Sequence, residues 1–397
     1  MDNRIYLDHS ATTPVSKEVL DEMMPCFSEV FGNGSSQHSH GREAGRLIDI
    51  ARNRVANALG AKANEIYFTS GGTESDNWAI RGVLEAYKSK GNHIITTCIE
   101  HPAMIKTLHD LEKAGECEVT FLSVNNEGFI SLDELKSAIR PNTVLISVMT
   151  ANNEIGTIQD IEAIGKIAKE HKIIFHTDAV QAIGSVHIDV NKMNIDLLSL
   201  SGHKFYGPKG IGVLYRRNGL RLGKYMTGGE QERAMRAGTL NTPGIVGLGK
   251  AIEIAVRDID KNNEYISSLR DYFVSEVERR IPNVYFNGTK TDKRLASNAN
   301  FSFEFIEGEA MLLRLDLAGI SVSSGSACSS GSLEPSYVLL ATGREIALAH
   351  GSLRFSFGKS NTKEQVEYVV EKLVEIVDSL RQLSPLFNEY KGGSFNV

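Results

Sequence analysis

Short runs of β-branched and apolar residues recur through the first two thirds of this chain, each leading toward an amphipathic stretch with helical spacing. EIYFTS (65–70) precedes a helical pattern from about Glu74. HIITT (93–97), EVTFLSV (118–124) and TVLISVM (143–149) follow, the last before a helical pattern at 160–170. The rhythm continues through KIIFHTDAV (172–180) and DLLSLSG (196–202) to GIGVLYRR (210–217). Strands with so little polar alternation must be covered on both faces, so the pattern predicts an α/β fold with one mostly parallel sheet between helices. Residues of about 15–257 form this large domain. Beyond it the pattern becomes α+β, with a helix at 264–280, short strands at VYFNGT and NANFSFEF, a helix at EGEAMLLRLDLAG and a last helix at 362–383. The tail KGGSFNV reads as flexible.

Composition narrows the function. A formal charge of −6 with no basic block argues against binding along nucleic acid. The start MDNRIYLDHS lacks the apolar core of a secretory signal, and no run approaches a membrane span, so a cytoplasmic protein is expected. Cys26, Cys98, Cys117 and Cys328 are scattered, without metal-site pairs or a disulfide framework.

Three strand ends carry the chemistry. In FTSGGTESDN, two glycines and a threonine join a strand to a helix, placing Gly72 and Thr73 where backbone N–H groups and the helix dipole favour a phosphate. The same residues also suit an ordinary tight turn capped by Thr73. Asp178 ends the strand in HTDAVQ, at the sheet edge where open α/β folds bind ligands. A carboxylate there pairs with a protonated heterocycle nitrogen, or simply caps a turn. Lys204, in SGHKFYGPKG, lies between an apolar strand and a glycine-rich exit, which suits a Schiff-base lysine. Ser201 and His203 beside it are phosphate donors. Together these pieces specify pyridoxal phosphate, because GxGxxG and Walker A signatures are absent. His101, in IEHPAM, is placed to stack on the cofactor ring or to move protons, and Asn153, in ANNEIG, to donate to the ring hydroxyl.

Cys328 sits in VSSGSACSSGSL, among small residues rather than apolar packing, as suits a travelling nucleophile; the mobile loop spans about 322–334. Arg354, in GSLRFSFG, has the fork geometry for a substrate carboxylate, although a lone arginine is more often solvated.

The segments YLDHSATTPV, FTSGGTESDN, EHPAM, ANNEIGT, HTDAVQ, SGHKFYGPKG, RAGTLN and SSGSACSSG, in this order along the chain, resemble NifS/IscS-type cysteine desulfurases of the class V aminotransferase family. The resemblance implies a fold type I pyridoxal-phosphate architecture with a seven-stranded-type sheet and a homodimer. It also implies a small domain from residues 1–14 and 258–397. Lys204 then holds the cofactor, Asp178 meets its ring nitrogen, Gln181 and Asn153 lie near its ring oxygen, and His101 stacks on it. Gly72, Thr73, Ser201 and His203 bind its phosphate, with Thr239 reaching the phosphate of the other subunit. Arg354 and Asn153 hold L-cysteine, and Cys328 takes its sulfur as a persulfide, leaving alanine.

The resemblance brings no resident metal, although the Cys328 persulfide would meet a nascent iron-sulfur cluster on an acceptor. That acceptor is an iron-sulfur scaffold protein, a tRNA-thiolation relay or a member of a nitrogenase-dedicated pathway, and LRQLSPLFNEY resembles the part of the family that docks scaffold proteins. His9-Ser10 departs from the Asn-Ala of many relatives. Selenocysteine lyase, an aminotransferase that does not use Cys328, and a non-catalytic sulfur relay are the competing readings.

Overall fold

A computed structural model describes residues 4–324 and 334–391. Strand β1 (Ile5–Tyr6) opens the chain, and the large sheet follows with β2 (Ile66–Thr69), β3 (His93–Thr97), β4 (Glu118–Leu122), β5 (Thr143–Ser147), β6 (Ile174–Asp178), β7 (Leu197–Ser201) and β8 (Gly212–Arg216). The strand order is β2-β8-β7-β6-β5-β3-β4, and only β8 runs against the others. The mostly parallel expectation therefore holds. Along β5, β6, β7 and β8, Ile146, Phe175, Leu198 and Val213 face one apolar cluster, while Leu145, Ile174, Leu197 and Leu214 face another. This period-two split explains the uninterrupted apolar runs, since each strand is buried on both faces. Helices Ser39–Leu59 and Thr242–Arg257 cover one face, and Gly72–Tyr87 and Pro102–Lys113 cover the other.

The later strands β9 (Val284–Phe286), β10 (Asn298–Phe303), β11 (Ile320–Ser321), β12 (Ser323–Ser324) and β13 (Ser352–Ser356) build two further sheets. One is antiparallel, in the order β12-β13-β10-β9; in the other, β1 pairs parallel to β11. A separate core of Phe273, Phe301, Phe303, Phe355 and Phe357 fills the space between this lobe's sheet and helices Ile259–Arg280 and Lys363–Leu383. The N-terminal strand thus belongs to the later lobe, and the residues after it run across to the edge of the large sheet.

Two boundaries move from those expected. The helix placed at 264–280 begins at Ile259, because the polar run after it hides an amphipathic first turn that buries Ile259. The helix placed from Glu74 begins at Gly72, and Thr73 is not its cap; Gly71 is the N-cap and supplies no side-chain hydrogen bond. Among the described residues no helix is long and apolar enough to cross a membrane. The tail residues 392–397 lie outside the described residues.

Candidate active site

The carboxyl ends of the parallel strands open into a cavity of about 390 Å3. Its lining includes Gly72, Thr73, His101, Asn153, Asp178, Gln181, Ser201, His203, Lys204 and Arg354. Thr239 is exposed and is not part of this wall. Cys328 lies outside the described residues.

One end of the cavity is an anion cradle. With no side-chain cap at Gly71, the first-turn N–H groups of the 16-residue helix Gly72–Tyr87 keep their donors for a ligand. The backbone comes close to the far wall here, since a Cβ on Gly72 would stand 2.6 Å from Cγ2 of Val180. Ser201 and His203 flank this end. His203 Nδ1 lies 3.1 Å from the Thr12 hydroxyl, and burial lowers its pKa to about 4, so its ring is neutral.

Lys204 comes from the turn that follows β7. Its Nζ donates to the carbonyl oxygens of Ser10, at 2.5 Å, and Ala11, at 2.9 Å. Gln181 Nε2 donates to the same Ser10 carbonyl at 2.8 Å. The crossing N-terminal segment therefore holds both residues through backbone oxygens, a role its side chains do not advertise. His9, the departure with no account in the sequence, is buried edge-on to Tyr6 with ring centroids 5.0 Å apart. Its ring fits because Gly358 opposes it, where a Cβ would sit 2.3 Å from the imidazole.

The middle of the cavity is a dry carboxylate wall. Asp178 Oδ1 accepts from the Val180 N–H at 2.8 Å, and burial raises the Asp178 pKa above the usual range while the Lys204 charge opposes the rise. Asp76 also faces the cavity, and it is fully buried, with Oδ1 lacking a hydrogen-bond partner. Burial and the neighbouring Asp178 charge push its pKa well up, which favours the protonated form of Asp76. His176 Nε2 stands 3.7 Å from Asp76 Oδ1, but burial lowers that ring to about 3, so the pair is not ionic. Such a wall offers one carboxylate to a cationic heterocycle nitrogen and little water to compete.

Glu100, directly before His101, is the third buried acid. Its Oε1 accepts from the Met149 N–H at 2.8 Å and the Thr97 hydroxyl at 2.9 Å, Oε2 has no partner, and burial pushes its pKa up to about 8. The folded protein binds this proton more tightly than the unfolded chain does. Its contribution to stability therefore declines as pH rises from about 4.5 toward about 8. Glu100→Gln is expected to match the parent below this window and to exceed it by on the order of 4 kcal/mol at its upper end. Denaturant melts of cofactor-free protein across the window check this; a pH-independent difference would remove the argument.

His101 lines the cavity and caps helix Pro102–Lys113, its Nδ1 accepting from the Ala103 N–H at 3.1 Å. The ring proton is thereby assigned to Nε2. Burial, with the Lys204 charge, lowers the pKa to about 4, so the ring is neutral and a poor proton acceptor near neutral pH. Arg354 is 2% exposed rather than solvated. It donates to the Asn153 carbonyl at 3.0 Å and to Asp8 Oδ1 at 2.9 Å, and its Nε has no partner. A buried guanidinium with an unmet donor on a cavity wall has the chemistry to receive a carboxylate.

Asp76, Glu100 and Glu154 were not singled out in the sequence. Asp76 had a usable signal, since it stands four residues after Gly72 on the same helical face. Glu100 and Glu154 had none, because each adjoins a more conspicuous residue and its burial comes from packing across the fold.

Residues 5–369 match the family model described as aminotransferase class-V. Across 391 residues the chain is 53% identical to the cysteine desulfurase IscS of Dictyoglomus turgidum, covering 98% of this chain and 99% of that one. It is similar to a solved NifS-like protein at TM-score 0.89 and 37% identity, covering 95% of this chain and all of that one. A structure described as SspA in complex with cysteine matches at TM-score 0.79 and 39% identity, covering 90% of this chain and all of that one.

Proposed function

Because this chain belongs to the class-V aminotransferase family and is one of its cysteine desulfurases, we propose that it binds pyridoxal phosphate at Lys204 and passes the sulfur of L-cysteine to Cys328. The observation that carries this reading is the single cavity in which the helix N-terminus at Gly72, the buried Asp178, Lys204 and Arg354 converge. Pyridoxal phosphate fits those residues, and when bound it supplies an electron sink that acidifies the substrate α-proton and loosens the Cβ–S bond.

The chain's own groups do the rest. Gly72, Thr73, Ser201 and His203 would hold its phosphate, Asp178 would pair with its ring nitrogen, and His101 would pack against its ring. Asn153 and Gln181 would serve its ring oxygen. The low proton affinity of His101 leaves removal of the α-proton to the Lys204 amine, which the Ser10 and Ala11 carbonyls orient. Arg354 grips the substrate carboxylate. The Cys328 thiolate attacks the substrate sulfur, so that an S–S bond forms as the Cβ–S bond breaks; the electron pair stays with the carbon fragment, which leaves as alanine after protonation.

Cys328 lies four residues beyond Ser324, a contour of at most about 14 Å. Ser323 lines the cavity and pairs with Arg354 across β12 and β13, so the tether begins at the substrate end. The persulfide then passes to an acceptor protein, an iron-sulfur scaffold or a tRNA-thiolation relay. The chain works as a cytoplasmic homodimer in which Thr239 completes the phosphate site of the partner. Residues 15–257 form the cofactor domain, and 1–14 with 258–397 the smaller one.

Holoenzyme given L-cysteine and a thiol reductant is expected to release alanine and sulfide in equal amounts. Arg354→Lys keeps the charge but loses the fork, and its KM for cysteine is expected to rise by about 10- to 100-fold with a smaller change in kcat. Keto acid in place of alanine would overturn the reading, and an unchanged KM would overturn the role of Arg354.

A further inference from the structure

The described chain resumes after residue 333 with two side chains bonded to the loops behind the cavity lining. Ser336 is 3% exposed, and its hydroxyl donates to Glu154 Oε2 while accepting the Leu339 N–H at 3.2 Å. Tyr337 donates its hydroxyl to the Glu100 carbonyl at 2.5 Å. Glu154 is 5% exposed and directly follows Asn153; Glu100 directly precedes His101. The short helix Tyr337–Ala341 then sets Val338 and Leu339 into a small apolar cluster with Ile99, Met149 and Ile155, apart from the main cores. Ile99 lies in the loop that carries His101, and Met149 and Ile155 in the loop that carries Asn153.

Buried hydroxyl-to-carboxyl contacts are costly to leave unmade, and a serine that satisfies both a helix cap and a buried acid has one preferred position. Glu154 is itself fixed, because its carbonyl accepts from the side-chain amides of Asn298 and Asn300, each at 3.1 Å, and its N–H donates to Asn152 Oδ1 at 2.8 Å. The contact therefore joins two rigid pieces rather than two mobile ones. On the upstream side, β12 is already fixed to β13 beside Arg354.

We propose that Ser336 and Tyr337, bonded to Glu154 and to the Glu100 carbonyl, are positioning residues for the sulfur-transfer step, anchoring the downstream end of the segment that bears Cys328 to the loops that present Asn153 and His101. This rests on Cys328 being the sulfur acceptor. A thiolate tethered at two fixed ends has a higher effective concentration at the substrate than one tethered at a single end. The clamp acts on that concentration alone, and it leaves the cofactor and the substrate carboxylate with their own partners.

The test separates the two halves of the reaction in the holoenzyme. Exchange of the L-alanine α-proton with deuterated solvent needs Lys204 and the bound cofactor but not Cys328. Single-turnover release of alanine from L-cysteine needs all three. Ser336→Ala is expected to slow alanine release about tenfold and to leave deuterium exchange at the parent rate, with Ser336→Thr restoring most of the loss. Tyr337→Phe is expected to act in the same direction and to add to Ser336→Ala. Unchanged alanine release in Ser336→Ala, or an equal fall in both rates, would overturn the proposal. Mass analysis of the parent after one turnover distinguishes the premise, since absence of a persulfide on Cys328 would defeat the reading of Cys328 rather than the clamp alone.

Discussion

Lys204→Ala is expected to lower cysteine desulfuration by at least about 10^3-fold and to remove the visible absorption of lysine-bound cofactor. Two functions disappear with one side chain. On the proposed reading the amine would be the covalent attachment for pyridoxal phosphate and also the base, since His101 has its Nδ1 lone pair taken by the Ala103 N–H and a lowered pKa. The Ser10 and Ala11 carbonyls that orient Nζ can only accept hydrogen bonds, so neither can take its place. Pyridoxal phosphate is still expected to bind, because the cradle at Gly72 and the carboxylate at Asp178 do not depend on Lys204. Equilibrium dialysis with the variant checks this. Retention of desulfuration near the parent rate would show that Lys204 is not the cofactor lysine.

Cys328→Ala is expected to leave the cofactor spectrum intact and to abolish alanine formation, again by at least about 10^3-fold. The other cysteines do not offer a substitute. Cys26 and Cys117 are buried, Cys117 within an apolar cluster, and burial raises the thiol pKa at Cys26, Cys98 and Cys117, which leaves less thiolate. The two variants are complementary. Lys204→Ala loses the visible band but keeps a thiol at residue 328 that an alkylating reagent labels, while Cys328→Ala keeps the band and loses that label. Desulfuration that survives in Cys328→Ala would favour the mechanism in which sulfur leaves without a persulfide on the chain.

Much of this was legible in the linear sequence because it depends on local rules. The βαβ rhythm fixes a parallel sheet, since strands without polar alternation need cover on both faces, and a parallel sheet fixes which edge binds ligands. Gly72, Asp178 and Lys204 each stand just after an apolar run, so their place at that edge follows from the rhythm. The family segments then assign roles to residues that local reading leaves open, as with Thr239 and Gln181.

What only the tertiary structure decided involves residues brought together from distant parts of the chain. The burial of Glu100, Glu154 and Asp76 is not written in their local sequence; packing from several elements removes their water and raises their proton affinity. The carbonyls of Ser10 and Ala11 hold Lys204 across more than 190 positions of sequence, and no side-chain pattern records a backbone oxygen. Arg354 reads as solvated until β13 is paired between β12 and β10, which buries it against Asp8 and Asn153. Secondary structure and strand ends follow short-range periodicity, but desolvation is a property of the assembled volume. The sequence alone therefore determined that Gly72, Asp178 and Lys204 stand at the ligand-binding edge, and the fold determined which acids and backbone oxygens join them there and how far burial shifts their proton affinity.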